Sequence, residues 1–245
     1  MTIDVTSQPS TQLLRGRISN YRKMRRNQDF VFTGEDRAKM GATAIAAGLA
    51  GLGGIATGLS SMAMDTTEEA DLLEFELDGK PVKAWVWQSV FQEGDEVEVV
   101  AEQWGNSWQG YGIRRMRDQI VALHPHCSRG RYAHYKATFW WWLKIGLSLN
   151  LFMYILVAGI VFFGSYPNLV GIVEVCLFGG LAVMAILGVI AARVSGKMMG
   201  FVRLAEGIFQ GFGWNDVKNI DLPAITKRSK QPGEPGALGV LYFRY

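Results

Sequence analysis

His124, His126, Cys127 and His134 form the one concentrated set of side chains in this 245-residue chain that could ligate a metal or pair a nucleophile with a base. A structural zinc site is assembled from closely spaced pairs of nitrogen and sulfur ligands. No second cysteine or carboxylate lies close by, so the spacing fits no familiar metal pattern, and the four residues read as interfacial side chains at the mouth of a span. Cys127 with a neighbouring histidine would make a nucleophile and base only if the two met, and side chains two or three apart rarely do. The glycine-rich Gly51-Leu52-Gly53-Gly54-Ile55-Ala56 fits the dinucleotide fingerprint in letters alone, since it sits inside an alanine-rich run instead of following a buried strand. No Gly-Lys-Ser/Thr follows it to cradle phosphate. The expectation is a chain with no catalytic residue, no cofactor and no metal. Two ionisable residues stand in apolar surroundings, Lys144 and Glu174, where a charge is costly unless hydrated or paired.

Those surroundings are two apolar runs, 139–163 and 169–192, on either side of the uncharged turn 164–168. Each is long enough to cross a hydrocarbon core at a rise of about 1.5 Å per residue. Basic residues crowd the outer ends, with Arg129, Arg131 and Lys136 before and Arg193, Lys197 and Arg203 after. The positive-inside rule then puts the turn outside and both ends in the cytoplasm. Trp140-Trp141-Trp142 anchors the first span at its inner end, because an indole satisfies both its apolar ring and its N–H at the interface. Lys144 lies close enough to that end to snorkel. Glu174 lies about a turn and a half past the outer turn, reaching the headgroups or, if several copies associate, lining an aqueous path.

The chain is 49% apolar and 19% charged, an imbalance concentrated in this hairpin. A net charge of +3 is too small to argue for nucleic acid, and none is expected as a partner. The stretch 1–12 does not read as a signal peptide. Cys127 at the inner border and Cys176 within the second span are too far apart for a disulfide, so reduced thiols are expected.

The expected architecture is an α+β membrane protein: a two-span transmembrane helical hairpin (137–192) plus a small cytoplasmic β-barrel-like domain (65–130) with a Gly/Ala-rich helical insertion (40–64). The segment 1–39 holds two β-leaning stretches, 12–21 and 30–33, separated by the basic cluster 22–26, whose expected role is contact with anionic lipid. In 40–64, small residues recur every four positions, among them Ala46, Ala50, Gly54 and Gly58, lining one helical face for close helix packing. A full crossing there would place most basic residues outside, so association without a stable crossing is favoured. From 72 to 123 the pattern turns to period two with Gly-centred turns at Asp78-Gly79, Glu93-Gly94-Asp95 and Gly105-Asn106, suggesting a small barrel of the oligonucleotide-binding or SH3 type. The stretch 193–214 reads as a separate amphipathic helix, and 215–245 as an extended tail whose end could add an edge strand.

Phe201-Val202-Arg203-Leu204-Ala205-Glu206-Gly207-Ile208-Phe209, the following Gly213-Trp214 and the closing Tyr242-Phe243-Arg244-Tyr245 resemble a family of proteobacterial membrane proteins described as type VI secretion system effectors. The family takes its label from a Glu-x-Ile-Phe signature, here Glu206, Ile208 and Phe209. Asp29-Phe30-Val31-Phe32-Thr33 and the Ala/Gly-rich segment are similar as well, so the likeness runs along most of the chain. It carries no enzymatic residues. It implies insertion into a competitor's membrane, with pore formation or depolarisation and a homo-oligomer. The alternatives are an inner-membrane immunity or accessory protein that binds a cognate toxin or a type VI secretion component, and a non-enzymatic membrane scaffold. In each case the lipid bilayer is a partner.

Overall fold

Alternation of apolar and charged residues makes strands of both the N-terminal stretch and the region after the Gly/Ala segment, and their acidic and basic outer faces determine how they pair. The structure, a computed structural model, describes residues 11–28, 30, 68–164 and 169–245. The ridge Ala46, Ala50, Gly54 and Gly58, and the rest of the 40–64 segment, lie outside the described residues. Strand β1 (Gln12–Gln28) runs straight through the basic cluster instead of stopping before it. Its first half pairs antiparallel with β4 (Glu96–Trp104) and its second half with β2 (Glu68–Leu77). The register sets Arg22 opposite Glu74 and Arg25 opposite Asp71, and Arg25 bonds both Glu69 (3.3 Å) and Asp71 (3.2 Å). Arg25 is thus engaged with the acidic run on β2, and the cluster is a sheet element before it is a lipid contact.

Between its two halves β1 breaks register at Ser19 to Arg22, with Asn20 at φ 53°. The amides freed there are taken by one carboxylate, Glu93, which accepts from Asn20 N (3.0 Å) and Tyr21 N (2.8 Å). Strand β3 (Lys80–Val86) returns from β2 through Asp78-Gly79, both at positive φ as a tight hairpin turn requires. Strand β5 (Ser107–Arg115) pairs with β4 and, in parallel, with β3 through Val82–Trp108 and Ala84–Gly110. This pairing closes β1-β2-β3-β5-β4 into a five-stranded barrel, the Greek-key closure of the oligonucleotide-binding type. Strands β6 (Ile120–Leu123) and β7 (Phe243–Arg244) extend the sheet from β5.

The barrel interior is filled by Leu73, Phe75 and Leu77 from β2, Val82 and Val86 from β3, and Val97 and Val99 from β4. Val100 points the other way, into a second core shared with the end of a long helix, so β4 is buried on both faces.

Helix α1 (Arg131–Phe163) and helix α2 (Leu169–Gly211) are long and apolar enough to cross a membrane. Only 11% and 6% of their most apolar windows are buried against protein, where the core helices of a soluble domain would be mostly covered. The expected break between the second span and an amphipathic helix is absent: the 43 residues of α2 form one helix, about 65 Å long at the α-helical rise. Residues 192–197 contain no proline, and Gly196 alone does not stop a helix whose next turns gain burial. The expected extended tail is also folded. Helix α3 (Leu222–Ser229) starts at Asp221, whose carboxylate accepts from Ala224 N (3.1 Å), and Thr226 Oγ1 accepts from Arg244 N (3.0 Å), tying α3 to β7. Ile220, Leu222, Leu238, Tyr242 and Phe243 are all buried, and that burial is why a Pro- and Gly-rich stretch holds a fixed course.

Candidate functional site at the junction of hairpin and barrel

The last turns of α2 carry Ala205, Ile208 and Phe209 on one face, followed directly by Phe212, and these residues are buried against β4, β5 and β6. Two glycines permit the approach. A Cβ at Gly112 would lie 2.6 Å from Ile208 Cγ2, and one at Gly211 would lie 2.6 Å from Val100 Cγ1. Trp214 closes the contact, its ring 5.3 Å from Phe209, 5.0 Å from Phe212 and 4.0 Å from Tyr245. Of the signature residues, Ile208 and Phe209 are therefore core: they plug α2 into the barrel.

Glu206, the third, has a different task. Helix α1 begins after Gly130, which has no side chain to cap it and no room for one, since a Cβ there would run into the backbone of Val217 and Lys218. The first amides of a helix need acceptors from elsewhere. Tyr132 N donates to the Lys218 carbonyl (2.9 Å), and Arg131 N donates to Glu206 Oε1 (2.9 Å). The other carboxylate oxygen accepts from Arg131 Nη2, also at 2.9 Å. Glu206 thus caps α1 from α2 and places its charge at the positive end of the α1 dipole. Arg131 Nε is buried without a hydrogen-bond partner among the described residues, which leaves Glu206 as the group that compensates this guanidinium.

The histidine and cysteine set does not converge. His126, held at φ 66°, turns its Nε2 to Glu68 (2.7 Å) at the start of β2. His124 lies among rings, 5.4 Å from Phe30 and 6.3 Å from Phe201, and burial pushes its pKa below the ordinary histidine value. Cys127 is buried in the second core, where desolvation drives its thiol pKa far up and leaves it unreactive. His134 turns to Ser195 Oγ (2.9 Å), joining α1 to α2. Among the described residues no three His, Cys, Asp or Glu side chains are gathered as a metal would need.

Of the two ionisable residues in the apolar runs, Lys144 sits over the Trp141 ring at 5.8 Å, in the N-terminal half of α1. Glu174 is exposed on α2 and meets no hydrogen-bond or ion-pair partner among the described residues. A polar residue not anticipated is Asn150, buried between the helices, where Nδ2 donates to the Gly146 carbonyl (2.9 Å). Close packing runs through glycines outside the 40–64 segment: Gly146 faces Met184, Gly180 faces Asn150 and Tyr154, and Gly188 faces Trp142, whose Nε1 donates to the Met184 carbonyl (3.1 Å). A lone asparagine within an apolar run was the available signal, since such a group must find a partner inside the bundle.

Fold and junction together define an α+β protein in which a closed five-stranded barrel is fixed to two long apolar helices that could span a membrane. Compared with known proteins, the chain matches no family model, no curated protein and no solved structure.

Proposed function

We propose that this is an integral protein of the bacterial inner membrane, with both termini and the barrel cytoplasmic, that serves as a type VI secretion effector acting on membranes by insertion and depolarisation. The resemblance around Glu206, Ile208 and Phe209 supplies the secretion system. The observation that carries membrane action is Glu174, a carboxylate on the exposed face of an apolar helix with no partner among the described residues. In a single copy such a group is costly; copies gathered around it share a polar, hydrated path, which is the homo-oligomer of this reading. The barrel is a binding module on this reading, not an enzyme, and its topology alone gives it no nucleic-acid ligand.

A second reading, an immunity or accessory component resident in the producer's membrane, is favoured by the unbroken course of α2 into the barrel core. A span rigidly joined to a folded domain suits a permanent platform that presents the barrel to a toxin or a secretion component. Expression of the chain alone in a naive bacterium, followed with a potential-sensitive dye and by growth, separates the two. The effector reading expects depolarisation that Glu174→Leu abolishes. Full potential together with protection of a strain challenged by a toxin-delivering neighbour supports the resident reading. Full potential without protection rejects both.

A further inference from the structure

We propose that the groove between the first turns of α1 and helix α3 is a binding site for the phosphate headgroup of an anionic phospholipid; the inference rests on the membrane reading above. Tyr132, Lys136 and Trp140 recur every fourth residue and so share one face of α1, and across from them α3 presents Ala224 and Arg228, again four apart. The cavity they enclose has a volume of about 490 Å³.

Its charge is unbalanced toward the positive. Lys136 and Arg228 are exposed and have no ion pair among the described residues. The acid in the lining, Asp221, is already engaged, its carboxylate accepting from Arg129 Nε and from Ala224 N, each at 3.1 Å. Asn219 is likewise occupied, its amide donating to Asp216 (3.0 and 2.9 Å). Two free cations facing one cavity suit one anion. A guanidinium opposite an ammonium matches phosphate oxygens, the first through a planar fork and the second as a point charge.

Depth decides between a lipid phosphate and a soluble one. The apolar run of α1 starts at 139, so Lys136 lies about 4.5 Å below it at the helical rise, the level of lipid headgroups. Trp140 borders the same groove on the bilayer side and is half exposed, as an indole at the interface should be. A headgroup held by Lys136 and Arg228 leaves its acyl chains beside Trp140 and the outer face of α1.

The test uses the full chain in neutral detergent, titrated with phosphatidylglycerol, phosphatidylcholine or inorganic phosphate, with retained lipid counted by native mass spectrometry. Phosphatidylglycerol is expected to be retained in preference to phosphatidylcholine and to withstand excess inorganic phosphate. Lys136→Gln with Arg228→Gln is expected to weaken phosphatidylglycerol binding roughly thirtyfold, and each single variant about fivefold. Lys80→Gln, a charge removed from the barrel surface outside the basic cluster of β1, leaves binding unchanged. Equal retention of the two lipids, wild-type affinity in the double variant, an equal loss with Lys80→Gln, or displacement by inorganic phosphate overturns the proposal. Carbonate extraction of cell membranes distinguishes the two levels of failure. A chain that is stripped off refutes the membrane reading and the site with it, whereas a chain that stays while the double variant binds normally refutes the site alone.

Discussion

Replacing Glu206 by Gln tests whether the signature glutamate is a clamp. Its side chain is 9% exposed and holds two contacts, to Arg131 N and to Arg131 Nη2, while the Arg131 side chain is 40% exposed. Losing the partner of a buried charge costs about 3–5 kcal/mol. Because Arg131 is partly solvated, water recovers some of that, and a glutamine oxygen still caps the Arg131 amide, so a cost of about 2 kcal/mol is expected for Glu206→Gln. Glu206→Ala, which removes the cap too, is expected to cost about 3 kcal/mol. For a chain of this size that is a fall in Tm of roughly 5–10 °C, measurable by intrinsic fluorescence in detergent. The decisive comparison is the cycle with Arg131→Gln. If the two side chains act as a pair, the double variant is more stable than the sum of the single losses predicts, by about 1–2 kcal/mol. Strict additivity, or a Glu206→Gln variant within about 0.5 kcal/mol of wild type, would refute the clamp and leave the position unexplained.

The docking of α2 on the barrel predicts that Gly112→Val or Gly211→Val forces the helix off β4 and β5, seen as faster proteolysis between barrel and hairpin, whereas Gly207→Ala, in open space, has no such effect. Hairpin packing predicts that Gly146→Leu and Gly180→Leu separate the helices, measured as lost crosslinking between cysteines placed across α1 and α2, and that Gly159→Leu preserves it. His124 has a folded-state pKa below its unfolded value of about 6.5, so the unfolded chain binds the extra proton and stability is lost as pH falls below that value. The drop in Tm between neutral pH and pH about 5 should therefore shrink in His124→Asn. The buried thiol of Cys127 should resist maleimide in the folded protein and react at once on denaturation.

The hairpin and the barrel were legible because their signals are periodic and local. Apolar runs at bilayer length, alternation on β2 and β3, and the Asp78-Gly79 turn each read correctly on their own. What could not be read were boundaries decided by distant partners. The basic run of β1 looked like a lipid-facing break because its acidic counterpart lies more than forty residues on, as with Arg25 and Asp71. The end of the second span looked like a helix boundary because its pattern changes from all-round apolar to amphipathic. The same helix simply passes from an exposed apolar course to a buried one, with Ala205 to Phe212 meeting the barrel.

That passage also explains why the junction carries a glutamate. The first amides of α1 have no acceptor within their own helix, and the Arg131 charge lies beside them. A side-chain cap at position 130 is sterically closed, so the acceptors come from elsewhere, the Lys218 carbonyl for Tyr132 N and, from the neighbouring helix, Glu206 for Arg131 N. It must also be long enough to reach from a face otherwise given to Ala205, Ile208 and Phe209. Aspartate would be one methylene short. Glutamine would leave the Arg131 charge uncompensated. A Glu followed by a Gly and two apolar residues at the foot of the hairpin is therefore what this geometry requires.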